Sequence, residues 1–119
     1  MKLNIKRIYE PVEPGDGVRI LVDRLWPRGI KKEKAAIDFW IREIGPSTTL
    51  RVWFNHDPEK WAAFRKLYLK ELKNSPAVTE LVLHIKGKKH VTLLYSARDE
   101  VHNQAVVIKE FVEKLRSKK

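Results

Sequence analysis

Two short apolar runs, Val18 to Val22 and Val91 to Tyr95, most constrain the fold of this chain. Apart from Arg19 and Thr92, they are apolar at successive rather than alternate positions, as is typical of strands buried on both faces. Each run leads into a polar turn that contains arginine, and a helical pattern follows the second turn. The sequence therefore predicts an α/β fold, a small sheet of about three strands with helices packed around it.

A third strand of this sheet is expected near the N-terminus, where Lys2 to Tyr9 partly alternates polar and apolar residues. The connection from Glu10 to Gly17 is rich in proline and glycine and too short for a helical crossover. Hairpin pairing with the strand Val18 to Asp23 is therefore the simplest expectation. The remaining strand is predicted over His90 to Ser96.

Five further segments carry the apolar spacing or the capping residues of helices. They run from Lys31 to Ile44, where Gly45-Pro46 stops the pattern; from Thr48 after the cap Ser47; from Asp57-Pro58 to Asn74; from Ser75-Pro76 to Ile85; and over Val107 to Leu115, capped by Asn103 or Asp99. A length of 119 residues suits one compact core. We expect residues 1–119 to form a single α/β domain.

The composition is strongly basic, with 25 lysines and arginines against 15 acidic residues and a net charge of +10. Such a charge attracts anions, from nucleotides to nucleic acids. The absence of cysteine excludes disulfides and thiolate chemistry. No apolar run approaches the roughly 18 residues of a membrane span, and the N-terminus lacks a signal-peptide pattern. We expect a cytoplasmic protein with no membrane partner.

The two polar turns that follow the apolar strands are the predicted binding site. If these strands are parallel neighbours, both turns lie at the carboxyl edge of the sheet, where α/β proteins bind ligands. Guanidinium groups beside the start of a helix favour a phosphate or a carboxylate. Alternatively, Arg24 and Arg28 pair with Asp23, Asp38 or Glu43 and only brace the loop. The candidate ligand-binding residues are Asp23, Arg24, Trp26, Arg28, Ser96, Arg98 and Asn103.

His56, Asp57 and His102 are the candidates for acid–base catalysis. An imidazole oriented by a neighbouring carboxylate can act as a general base. The alternative is that Asp57 caps the following helix while His56 is a solvated turn residue, and His102 has an equal case for capping or packing. Neither a tight spacing of His and carboxylates nor a glycine-rich phosphate loop is present. We expect no metal and no cofactor.

Several motifs together resemble one known family. The resemblance lies in five motifs, which are Val22 to Gly29, Pro46-Ser47, Trp53 to Pro58, Leu93 to Ala97 and His102 to Ala105. In these motifs the chain resembles the YeaO-like branch of the family called domain of unknown function 488. The resemblance covers nearly the whole chain. It implies a small cytosolic α/β domain and favours a functional role over bracing for Arg24, Trp26 and Arg28, but it implies no particular activity.

Two classes of function follow from these patterns. In the first, the protein binds an anionic small molecule in an arginine-lined cleft, and it is an enzyme if His56 or His102 acts as acid or base. In the second, it binds nucleic acid through its basic surface, with Trp26 and Trp53 stacking bases. The lysines are scattered over helices and tails rather than aligned on one face, which favours the small molecule. The oligomeric state is left open.

Overall fold

The computed structural model describes residues 1–117 and has four strands and five helices in that range. The strands are β1 (Lys2–Arg7), β2 (Val18–Leu21), β3 (Phe39–Trp40) and β4 (His90–Tyr95). The helices are α1 (Lys32–Ala35), α2 (Thr48–Phe54), α3 (Trp61–Lys73), α4 (Pro76–Ile85) and α5 (Gln104–Ser117). The α/β class is confirmed, although the sheet has one strand more than expected.

The sheet is entirely parallel, in the order β1-β4-β2-β3. β4 lies at its centre, and Leu93 pairs with Ile5 of β1 on one side and with Ile20 of β2 on the other. The two most apolar runs are therefore parallel neighbours, which is the condition on which the predicted binding site depends. As a consequence, the turns after β2 and β4 leave the same edge of the sheet.

The expected hairpin between β1 and β2 is wrong, because β4 lies between them and pairs with both. The connecting residues 8–17 are indeed too few for a helical crossover, but an extended segment of that length reaches about 33 Å. The six residues of β1 span only about 20 Å. The connection can therefore return along the sheet, and Thr92 of β4 holds it by donating a hydrogen bond to the Asp16 carbonyl at 2.7 Å.

The predicted helix from Lys31 to Ile44 is also wrong. It is reduced to the single turn α1, and β3 follows as an edge strand beside β2. The helix-like spacing has another cause: Ile37 and Trp40 pack on one face of the sheet, whereas Ile41 and Ile44 join the core on the other. Backbone pairing with β2 thus replaces the hydrogen bonds that a helix would have made.

The remaining helices agree with the sequence patterns because their N-terminal caps form as expected. Side-chain oxygens of Ser47, Asp57, Ser75 and Asn103 each accept a backbone N–H within the following turn. None of the helices in the described part of the chain is long and apolar enough to cross a membrane.

The two faces of the sheet are covered differently. Ile20, Leu93 and Tyr95 point toward the main core, which is built with α2, α3, α4 and α5. On the opposite face, Leu21 and Leu94 form a smaller cluster against Trp26 of the loop after β2 and Trp40 of β3. The loop after β2 therefore packs against the sheet, and this packing holds the loop close to the end of the strand.

A cluster of charged side chains covers this second face beside the amino end of β2. Arg19 is 4% exposed and pairs with Asp16, which is 7% exposed. The same guanidinium donates hydrogen bonds to the carbonyls of Ala35 and Ala36, and Lys6 donates to Asp16 at 3.0 Å. Burial tends to raise the pKa of Asp16, but hydrogen bonds from the Glu13 backbone, Lys6 and Arg19 bring it below its usual value.

Candidate functional site

A cavity of about 340 Å³ opens at the carboxyl ends of β2 and β4. This carboxyl-end cavity is enclosed by the turn after β2, by the junction between β4 and α5, and by α2 with the neighbouring face of α3. Its size falls in the range of ligand pockets, about 300–1,000 Å³. Eight predicted site residues line it: Asp23, Arg24, Trp26, Arg28, His56, Ser96, His102 and Asn103.

Asp23 is held at the junction of the three elements that form the floor of the cavity. It accepts hydrogen bonds from the Ser96 backbone at 3.0 Å and the Ser96 hydroxyl at 2.6 Å, and its other oxygen accepts from the side-chain amide of Gln104. Asp23 is 7% exposed, and this burial raises its pKa, although the bonds from Ser96 and the charge of His56 oppose the shift. A single carboxyl group thus fixes β2, β4 and α5 relative to one another.

Arginines reach the cavity from two separate segments, Arg24 and Arg28 from the turn after β2 and Arg51 from α2. Arg24 partly fits the bracing alternative, since it donates to the Pro46 carbonyl at 2.6 Å and pairs with Glu43 at 3.3 Å. Arg28 and Arg51 are exposed and form no ion pair with any carboxylate in residues 1–117. Their guanidinium groups are thus available to a ligand.

Two of the predicted site residues do not line the cavity. Arg98 is exposed outside it, so the structure brings together two of the three predicted arginines. Asp57 accepts a hydrogen bond from the Glu59 backbone at 3.0 Å and acts as the cap that the sequence offered as its alternative role. The predicted pair of His56 with Asp57 is therefore not the arrangement found in the structure.

The carboxylate that orients a histidine at the cavity is instead Asp99. Its side chain accepts from Nδ1 of His102 at 2.8 Å and from the backbone N–H groups of Val101 and His102. These bonds lower the pKa of Asp99 to about 2. The imidazole also packs edge-on against Trp61 at 5.1 Å. With Nδ1 occupied, Nε2 is the ring nitrogen of His102 that remains for a ligand.

His56 reaches the cavity through an unusual backbone conformation. Asn55 and His56 have φ angles of 45° and 54°, so two consecutive residues other than glycine are left-handed. Non-glycine residues rarely adopt this region, and such strain is concentrated at functional sites. Asn55 terminates α2, and the turn carries the imidazole of His56 to the cavity wall.

The tryptophans divide into one that lines the cavity and one that does not. Trp26 is partly buried, donates its indole N–H to the Ile30 carbonyl at 2.7 Å and packs edge-on against Trp40. It therefore forms a fixed wall of the cavity. Trp53 lies outside the cavity lining, 41% exposed on α2, with the Lys60 ammonium over its ring.

Three polar residues of the lining, Tyr9, Arg51 and Gln104, were not predicted. Tyr9 donates to the Arg28 carbonyl at 2.8 Å and so holds the arginine-bearing turn. Gln104 immediately follows the cap Asn103, a position from which its side chain returns toward the strand ends. Arg51 precedes Phe54 by one helical turn, but no local pattern reveals that α2 faces this edge. Among residues 1–117, no three His, Asp or Glu side chains cluster closely enough for a metal ion.

Comparison with known proteins identifies the family. A family model described as the inactive DUF488-N3 subclade matches residues 2–119. The chain belongs to the DUF488 family. The resemblance of the sequence motifs to this family is thereby confirmed.

Relatives of this DUF488 chain have been found in several bacteria. It is 45% identical to the uncharacterized protein YeaO of Escherichia coli over 115 residues, which covers 97% of this chain and all of YeaO. It is 35% identical to the uncharacterized protein Rv3073c of Mycobacterium tuberculosis and to Mb3100c of Mycobacterium bovis, over 93% of each chain. No solved structure matches it.

Proposed function

We propose that this protein binds an anionic small molecule, bearing a phosphate or a carboxylate, in the carboxyl-end cavity. The observation that carries the proposal is the convergence of Arg24, Arg28 and Arg51 on one cavity from two different segments. Planar guanidinium groups bind these anions through paired, charge-assisted hydrogen bonds. Convergence in a concave site distinguishes this arrangement from a general basic surface.

The electrostatics of the cavity support an anion. Three arginines outnumber the single lining carboxylate, Asp23, which already accepts three hydrogen bonds from the chain. Asn103 and Gln104 also place the start of α5 beside the cavity, and the positive end of a helix dipole favours negative charge. A ligand anion would therefore gain from guanidinium groups and from the helix together.

Binding without turnover is the simpler form of this function. The matching family model is described as an inactive subclade, which favours a ligand-binding role over catalysis. Under this proposal His56 and His102 contact the ligand rather than transform it. We also propose that binding takes place in the cytoplasm, in keeping with a chain that contains no cysteine.

Isothermal titration calorimetry with inorganic phosphate and with succinate tests the proposal. We expect one site per chain and at least a tenfold loss of affinity in Arg28→Gln or Arg51→Gln, since a hydrogen bond to a charged group contributes about 1.5–3 kcal/mol. Arg98→Gln removes the same charge outside the cavity and serves as the matched control. Equal losses in all three variants would indicate an effect of net charge alone and would contradict a local site.

Salt dependence separates this function from the alternative of nucleic-acid binding. Affinity for duplex DNA or RNA through many phosphate contacts falls steeply as salt rises, because condensed counterions are released. We expect only weak duplex binding, lost near physiological ionic strength, and little changed by Arg28→Gln. Tight duplex binding that persists at this salt concentration and depends on the lysine clusters would favour nucleic acid instead.

A further inference from the structure

The polar groups on the floor of the carboxyl-end cavity differ in kind from those on its arginine rim. On the floor, Ser96 donates its hydroxyl to Asp23 and Gln104 donates its amide N–H to the same carboxylate. These hydrogen bonds use donor groups of Ser96 and Gln104, so most of the groups that remain unpaired on the floor are acceptors. One lone pair of Asp23 Oδ1, the lone pairs of Ser96 Oγ and the Gln104 amide oxygen remain, against one N–H of Gln104.

The arginines of the rim offer only donors. Arg28 and Arg51 are free of ion pairs within residues 1–117, and Arg24 keeps part of its guanidinium beyond its bonds to Pro46 and Glu43. A phosphate monoester carries about −1.5 to −2 charges at pH 7 and three strong acceptor oxygens. This matches guanidinium groups approaching from two sides better than a planar carboxylate, which one arginine can satisfy.

From this division we infer that the ligand is a phosphate monoester whose organic part bears hydroxyl groups, that is, a phosphorylated polyol. The inference rests on the anion-binding function proposed above and adds the orientation of the ligand. Its phosphate lies at the rim between the turn after β2 and α2, and its hydroxyl groups donate to the floor acceptors. The buried charge of Asp23 reinforces this orientation, because it repels an anion from the floor and attracts a donor.

The apolar part of the lining suits such a ligand. Phe54 and Phe64 stack on each other with ring centroids 4.1 Å apart, and both border the cavity. Both are buried, at 6% and 2% exposure, so they form a rigid wall against which the carbon chain of a polyol can pack. The cavity of about 340 Å³ has room for a ligand larger than inorganic phosphate.

The decisive comparison uses two phosphate esters of similar size, glycerol 3-phosphate and propyl phosphate, which differ by two hydroxyl groups. Calorimetric titration of the wild-type protein should show glycerol 3-phosphate binding at least tenfold more tightly than propyl phosphate. Equal affinity for the two esters would overturn the inference while leaving anion binding intact. Failure of both esters, of inorganic phosphate and of succinate to bind would overturn the proposed function as well.

Variants then assign the preference to the floor. Gln104→Met keeps the length of the side chain but removes its amide, so it should cut the preference for glycerol 3-phosphate severalfold while propyl phosphate affinity changes little. Arg51→Gln should weaken both esters together and leave their ratio unchanged. Thermal unfolding of each variant checks that it is folded. A wild-type preference that survives in Gln104→Met and in Ser96→Ala would overturn the role of the floor.

Discussion

Charged side chains are paired with one another beside the amino end of β2, whereas several beside its carboxyl end are left without an ionic partner in residues 1–117. Beside the amino end of β2, Arg19 pairs with Asp16, which also accepts a hydrogen bond from Lys6 of β1, and both Arg19 and Asp16 are buried. At the carboxyl end, Arg28 and Arg51 border an open cavity, and the buried carboxyl of Asp23 faces it. A buried charge that is fully paired serves structure, whereas charges left open beside a cavity are available to a ligand.

The pKa values of the two buried aspartates show the same contrast. Hydrogen bonds from cationic side chains and the backbone bring the pKa of Asp16 below its usual value despite burial. Burial raises the pKa of Asp23, and its bonds from Ser96 and the charge of His56 only partly compensate. Folding therefore favours the charged form of Asp16 and disfavours the charged form of Asp23.

Replacing Arg19 with methionine should produce the largest change in stability. The substitution leaves Asp16 buried with Lys6 as its remaining cationic partner and frees the carbonyls of Ala35 and Ala36. Breaking a buried ion pair on one side costs about 3–5 kcal/mol. Urea unfolding at pH 7 measures the change. Arg51→Met, at the exposed rim of the cavity, should cost no more than about 0.5 kcal/mol, and similar costs for both variants would contradict the contrast.

The pH dependence of Asp16→Asn and Asp23→Asn should have opposite signs. The pKa of Asp16 is lowered on folding, so its stabilisation is present above its ordinary value of 3.8 and is lost as pH falls through the folded pKa. The pKa of Asp23 is raised, so its contribution is present below 3.8 and is lost as pH rises through the folded pKa. The cost of Asp16→Asn should therefore grow with pH, while that of Asp23→Asn should shrink.

Two measurements check the opposite pH dependences of Asp16→Asn and Asp23→Asn. Carbon-detected NMR titration of the side-chain carboxyls should place Asp16 below and Asp23 above the ordinary value, and urea unfolding from acidic to neutral pH should give the two slopes. If both carboxyls titrate on the same side of 3.8, the contrast between the two ends is wrong.

Gly45→Ala should affect the cavity more than the fold. The φ angle of Gly45 is −63°, which alanine adopts readily, but an added Cβ would lie 2.9 Å from Cγ of Arg24. The arginine stem must then shift away from its position at the rim. We expect severalfold weaker phosphate binding by calorimetry and little change in stability, because the Arg24 stem is flexible and alanine lowers the conformational entropy of the unfolded chain. Unchanged phosphate affinity would show that Arg24 acts only as a brace.

Asp99→Asn should cause the smallest change, confined to the histidine on the cavity wall. The carboxylate of Asp99 holds the proton on Nδ1 of His102, and an amide can present either a donor or an acceptor to that nitrogen. Long-range ¹⁵N–¹H NMR spectra should show His102 protonated at Nδ1 in the wild type and a mixture of tautomers in the variant. An identical ring-nitrogen spectrum in both proteins would rule out this orienting role.

The sequence predicted most of the floor and part of the rim. Val18 to Val22 and Val91 to Tyr95 are apolar on both faces, so their central positions, and with them Asp23 and Ser96 at one edge, followed from local pattern. Arg51 could not be placed, because its approach to the cavity depends on the packing of α2 against α3. The same limit applies to residues 31–44, where pairing with β2 overrode a helical spacing.

The contribution of His102 shows a different limit. The sequence offers Asp99 as a potential helix cap that flanks His102, and it favours His56 with Asp57 as a pair only because the two residues are contiguous. In the structure, the turn before α5 brings Asp99 and His102 together, whereas Asp57 is occupied by the backbone of the next helix. Proximity in sequence was therefore a weaker guide than the geometry of a turn.

A crystal structure of the protein soaked with glycerol 3-phosphate tests the central claim most directly. The account predicts density for a phosphate group between Arg24, Arg28 and Arg51, with the hydroxyl groups directed toward Ser96 and Gln104. Density at scattered surface lysines alone, with the carboxyl-end cavity filled by water at a saturating ligand concentration, would contradict it.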